Sequence, residues 1–122
     1  MKRILIVEDQ EFLIKILSDF LIKNNFEVLE ARNGQEGLEI AKQQHPDLIL
    51  LDIIMPIMDG ITMLKKLRED EWGKTAKVIM LTNLSSSEAL ESSNKEHVLE
   101  YLIKAEWKLE DVVAVVNNEL FD

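Results

Sequence analysis

The sequence predicts an α/β domain, a doubly wound sheet of five parallel strands with five helices covering both faces. Three observations carry that expectation. Short apolar runs alternate with amphipathic stretches five times along the 122 residues. The links between them are only a few residues long, which favours crossovers between parallel neighbours. The third run, "DLILLDI" at 47–53, is the most continuously apolar, as a central strand buried on both faces requires. A chain of this length suits one domain, residues 1–122, with a core that needs no staples.

Each element has its own justification. "RILIVE" (3–8) reads as the first buried strand. The helix expected from Glu11 to Lys23 places Phe12, Leu13, Ile16, Leu17, Phe20 and Leu21 on one face. "FEVLEA" (26–31) is the second strand; Asn33-Gly34 then signals a turn, and the helix from Gln35 to Gln44 ends before Pro46. After the third strand, Asp59 caps a helix running through Asp70, with Ile61, Leu64 and Leu67 turned inward. "AKVIMLT" (76–82) is the fourth strand, 85–94 a Ser-rich helix with little apolar content, and "HVLEYLI" (97–103) the fifth strand. The last helix, 108–120, buries Leu109, Val112, Val113, Val116 and Leu120.

Composition narrows the function. There is no cysteine, which excludes disulfides and thiolate metal sites. No apolar run is long enough to span a bilayer, and "MKRILIVEDQ" turns acidic too soon for a signal peptide, so a cytoplasmic protein without a membrane partner is expected. The net charge is −9, and residues 85–122 hold nine acids against Lys95, Lys104 and Lys108. With no basic stripe to meet phosphate backbones, direct nucleic-acid binding is not expected.

A parallel sheet brings the carboxyl ends of its strands to one edge, where ligand chemistry gathers. Glu8 and Asp9 end the first strand, Asp52 the third and Thr82 the fourth, and Lys104 follows the fifth. An acid ending the most apolar strand needs a reason, since Asp is depleted in strands and rarely buried without a partner. Three acids on one edge repel, by about 4 kcal/mol for two unit charges about 4 Å apart at an effective dielectric near 20. Lys104 or a bound divalent cation would offset that, and hard carboxylate oxygens without His or Cys favour Mg2+. A rigid, partly open Asp52 beside a metal and a lysine can attack phosphorus and form an aspartyl phosphate. The cation and Lys104 would spread the charge on the transferred oxygens, and Thr82 could hydrogen-bond the new phosphoryl group.

The motifs "ILIVEDQ", "LILLDIIMPIMDG", "VIMLTN" and "YLIKAE", in this order across the whole chain, resemble those of the receiver domain of two-component response regulators. The resemblance implies a flavodoxin-like fold with strand order 2-1-3-4-5. It also implies that Asp52 is the phosphoacceptor, that Asp9 and Asp52 bind Mg2+ directly, that Glu8 acts mainly through water, and that the Ile54 carbonyl completes the protein ligands. Thr82 and Tyr101 match the family's switch pair, and Lys104 its phosphate-contacting lysine. Met55-Pro56 and Asp59-Gly60 match the loop leading into the third helix. The implied partners are a sensor histidine kinase or phosphotransfer protein and a downstream protein, and the implied activity is self-catalysed phosphorylation and dephosphorylation rather than turnover. Three positions depart from the pattern: Ala105 replaces the usual Pro after the lysine, Asn83 a small residue, and His97-Val98 the common Gly-Ala. Dimerising members tend to carry a Lys-Pro-Phe turn and basic residues nearby; with Lys-Ala-Glu and no Arg in the last helix, a stand-alone monomer is expected.

Two other functions meet specific objections. An aspartyl-nucleophile phosphatase wants a second acid two residues after the nucleophile, where Ile54 stands. A pseudo-receiver that only binds partners leaves the intact acid set and Lys104 unexplained. His45 and His97 read as surface residues, Met55, Met58 and Met63 as packing, and Trp72 and Trp107 as loop anchors.

Overall fold

The computed structural model describes residues 1–82, 98, 100–103 and 108–121, with backbone only at 82, 100, 101 and 103. The elements run β1 (Arg3–Val7), α1 (Glu11–Lys23), β2 (Glu27–Ala31), α2 (Gly34–Gln44), β3 (Leu48–Asp52), α3 (Gly60–Glu69), a 3-10 turn (Gly73–Thr75), β4 (Val78–Thr82), β5 (Glu100–Ile103) and α4 (Leu109–Phe121). The helix expected over 85–94 lies outside the described residues, as do Asn83, Leu84, His97, Lys104, Ala105 and Trp107.

All strand pairs are parallel, in the order β2-β1-β3-β4-β5, which is the flavodoxin-like α/β fold. β3 lies between β1 and β4 and every residue in it is buried, as its unbroken apolarity requires. Alternation along the strands divides the core in two. Leu5, Val7, Ile49, Leu51, Val78 and Met80 pack with Leu38 and Ala41 of α2 and Met63, Leu64 and Leu67 of α3. Ile4, Ile6, Leu48, Leu50, Ile79 and Leu81 pack on the other face with Ile14, Leu17 and Leu21 of α1 and Val112, Val113 and Val116 of α4. Met55 and Met63 are core residues, and Met58 and Trp72 pack against the same cluster as half-buried anchors. His45 is exposed as expected, but its ring stacks on Trp72 with centroids 4.5 Å apart.

Two expectations need correction. β1 to β4 are shorter than the apolar runs read for them, each by one or two residues. β4, for example, begins at Val78 because Ala76 still belongs to the preceding turn, its N–H reaching the Gly73 carbonyl at 3.3 Å. The inward stripe of α1 is Ile14, Leu17, Ser18 and Leu21; Phe12, expected inside, is 78 % exposed. Leu13, Ile16 and Phe20 are only half-buried. Glu11, Lys15, Asp19 and Lys23 mark the outward face, but the apolar residues span a wider arc than the helix buries. Ser18 lies on the sheet side of that arc, where its hydroxyl donates to Glu30 Oε2 of β2 at 2.7 Å.

Candidate functional site

The strand order reverses direction between β1 and β3, and a cleft outside the carboxyl ends at such a point is where this class of sheet binds ligands. Glu8 leaves β1 there and Asp52 ends β3 there. One carboxylate oxygen from each of Glu8, Asp9 and Asp52 lies within 4.8 Å of the others. The two anchoring acids are deep: Glu8 is 0 % exposed and Asp52 6 %. Asp52 is therefore buried where a partly open position was expected, and the opening to solvent is on the side of exposed Asp9. Three hard oxygen donors held this close are a donor set that fits a magnesium-like cation.

Backbone bonds set these acids in place. The Glu8 N–H donates to the Ala31 carbonyl at 3.0 Å, extending the β1–β2 ladder by one residue, and the Gln10 N–H donates to Glu8 Oε2 at 3.1 Å. Beyond Asp52 the chain crosses a loop into α3, and the Gly60 N–H returns to the Ile53 carbonyl at 2.8 Å. A Cβ on Gly60 would collide with the Asp52 carbonyl oxygen, so only glycine lets α3 begin this close to the acid. Asp59 caps α3 as expected, its Oδ1 accepting from the Thr62 N–H at 2.8 Å. Asn33 does the same for α2 through the Glu36 N–H at 2.9 Å. The loop is tied to α2 by the Gly34 N–H, which donates to the Met58 carbonyl at 2.9 Å.

Ile54 and Ile57 stand out of that loop, 61 % and 81 % exposed. Ile57 has φ 69°, and the Met58 N–H reaches the Pro56 carbonyl at 2.7 Å across it. This is a γ-turn of the positive-φ kind, strained for a β-branched residue. Thr82 is one position past the Asp52–Leu81 pair at the end of β4, and Tyr101 pairs with Met80 in β5. Their backbones thus border the same edge or the strand beside it; Lys104 is outside the described residues.

The sequence reading did not single out a charged chain beside the acids. Arg32, just past β2, bonds Glu11 at the start of α1 through Nε–Oε1 at 2.5 Å and Nη2–Oε2 at 3.1 Å. Its Nη2 also reaches Glu30 Oε1 at 3.2 Å. The Arg32 hydrogen bond holds the Glu11 carboxyl below its ordinary range. A cation directly after the second strand, on the edge that carries the acids, was the available signal.

A doubly wound sheet with an acid cluster at its switch point defines a class of small domain that could hold a hard cation at the ends of its strands. The chain belongs to the response-regulator receiver family: the model of the response regulator receiver domain matches residues 4–117. It is 34 % identical over 119 residues to the chemotaxis protein CheY of Bacillus subtilis, covering 97 % of each chain. Among solved structures, a CheY-like receiver domain protein from Methanospirillum hungatei superimposes with a TM-score of 0.92 at 28 % identity, over 98 % of this chain and 94 % of the other. The CheX–CheY–BeF3–Mg2+ complex from Borrelia burgdorferi contains a chain that matches with a TM-score of 0.89 at 27 % identity, over 99 % and 90 % respectively. The chain is thus a receiver of the CheY type in two-component signalling. No helix among the described residues is long and apolar enough to cross a membrane.

Proposed function

We propose that this receiver takes a phosphoryl group onto Asp52 from a phosphohistidine of a sensor kinase or phosphotransfer protein, and thereby changes the surface it offers a downstream protein. The observation that carries the reading is the convergence of Glu8, Asp9 and Asp52 at the switch point of a receiver fold. The Borrelia complex supports it, since its BeF3 is a phosphoryl analogue and its Mg2+ a hard cation of the kind three carboxylates attract.

Glu8, Asp9 and Asp52, with the Ile54 carbonyl, would hold Mg2+. When bound, the ion supplies positive charge against the oxygens of the transferred group. Asp52 is the nucleophile: one carboxylate oxygen forms the new O–P bond as the N–P bond to the donor imidazole breaks, and the leaving nitrogen takes up a proton. Burial of Asp52 at the end of a strand locked on both sides keeps that oxygen in one place, which is the entropic part of the catalysis. Glu8 would act on the cation mainly through water. Lys104 contacts the phosphoryl group, and Thr82 with Tyr101 forms the switch that reports its arrival. Exposed Ile54 and Ile57, in the loop directly after Asp52, offer a docking protein apolar surface next to the acceptor. The protein acts in the cytoplasm as a monomer, binds no nucleic acid itself, and is not a turnover enzyme.

The test is incubation with acetyl phosphate and Mg2+, followed by intact mass measurement. One alkali-labile phosphoryl group is expected on the wild type and none on Asp52→Asn. Absence of labelling on the wild type would favour a binding module that is never phosphorylated. Turnover of phosphomonoesters would favour an aspartyl-nucleophile phosphatase.

A further inference from the structure

We propose that Arg32 is a positioning residue for the cation site, a clamp that sets where α1 begins and so where Asp9 is held. The proposal rests on the receiver reading for the identity of the ion, but its structural basis is separate. The β1–β2 register ends at Val7 opposite Ala31, and the Glu8 N–H still reaches the Ala31 carbonyl. Glu8 and Arg32 therefore leave the sheet side by side. Between Glu8 and the first residue of α1 there are only two residues, Asp9 and Gln10. Wherever Glu11 is held, Asp9 must follow.

The first turn of α1 lacks the usual fastening. Asn33 and Asp59 cap α2 and α3 through their side chains, whereas Gln10 makes no side-chain cap bond. The two-pronged Arg32–Glu11 contact holds that turn instead. Arg32 is itself braced, since Nη2 also bonds Glu30 Oε1, and Glu30 Oε2 accepts from the Ser18 hydroxyl, a residue 4 % exposed. α1 is thus gripped at Glu11 and again at Ser18, about two turns further on. The same contacts pair Glu11, two residues on from Asp9, with a cation.

Electrostatics and positioning predict opposite signs, which makes the clamp testable. Removing Arg32 deletes a positive charge near three acids, so charge alone would tighten Mg2+ binding. Loss of the clamp would weaken it. Calorimetric titration with Mg2+ should show Arg32→Ala binding about threefold to tenfold more weakly than the wild type, at or below the low end of what outer-shell partners cost. Arg32→Lys, which keeps the charge and one prong, should fall between them. In the same proteins without Mg2+, hydrogen exchange at the amides of residues 14–17, the first that bond back into α1, should be faster in Arg32→Ala, with the strands unchanged. Equal or tighter Mg2+ binding by Arg32→Ala, or unchanged exchange in that segment, would overturn the clamp. If Arg32→Ala fails to fold by circular dichroism, Arg32→Lys carries the binding comparison and is expected to bind more weakly at unchanged charge, and Arg32→Lys and Glu11→Gln are both expected to exchange faster. A wild type that binds no Mg2+ would overturn the receiver reading of the site, and the exchange measurement would still decide whether Arg32 pins the loop.

Discussion

Replacing Asp52 by Asn should stabilise the protein when no divalent cation is present. The Asp52 carboxylate has an oxygen within 4.8 Å of both Glu8 and Asp9, and Glu8 and Asp52 are both buried. At an effective dielectric near 20, each such pair repels by about 3 kcal/mol. Solvent screens the pair with exposed Asp9, and both buried acids have other partners, so only part of that is recovered. A net gain of about 1–3 kcal/mol remains, or about 4–12 °C in Tm for a chain of this length. The assay is thermal unfolding of wild type and Asp52→Asn in EDTA and again in Mg2+. At a hundredfold excess over Kd, a bound ion stabilises the wild type by about 2.7 kcal/mol, and the variant should gain less. The gap between the two proteins should therefore narrow or reverse on adding Mg2+ and not on adding matched sodium. A variant less stable than wild type in EDTA, or one that gains equally from Mg2+, would refute the reasoning.

Three further outcomes follow from particular residues. Ile57→Gly should raise stability by about 1 kcal/mol, because glycine has no Cβ to strain at this positive φ and the Ile side chain is mostly in solvent; a lowered Tm would show that the turn is not strained. Ile54→Asn, with Leu84→Glu, should shorten the lifetime of the phosphorylated form, since aliphatic groups two residues past Asp52 and Thr82 cannot orient a hydrolytic water; unchanged or slower decay of the labile phosphate would count against that. Arg32 lowers the Glu11 carboxyl pKa, so the pair's contribution is complete above the ordinary carboxylate value of 4.5 and fades as pH falls through the lowered one. Arg32→Gln should accordingly melt below wild type near neutrality and approach it in acid, and a difference independent of pH would argue against the pair.

Much of this fold could be read in the sequence because its physics is local. Five apolar runs with short links leave few topologies, and an unbroken "LILL" has to be central. The acids were legible as strand ends, and the strand order brings three of them together. What stayed hidden depends on contacts between elements far apart in sequence. With Phe12, Leu13, Ile14, Ile16, Leu17, Phe20, Leu21 and Ile22 in one helix, the apolar arc is wider than the buried face, and which part of it turns inward, with Ser18 bonded to Glu30, shows only in the packing. The burial of Asp52 follows from packing around the strand end, and Arg32 acquires a role only because β2 ends beside Glu8. Ile57 gives no sign of its positive φ, since a β-branched residue is the last expected there.

The central claim, that Asp52 receives the phosphoryl group, is tested most directly by chemical mapping. Borohydride reduces an aspartyl phosphate to homoserine, which marks the acceptor irreversibly for peptide mass spectrometry. After treatment with acetyl phosphate and Mg2+, homoserine should appear at position 52 alone, and EDTA should abolish it. Homoserine at position 8, 9 or any other acid, with position 52 unmodified, would contradict the account.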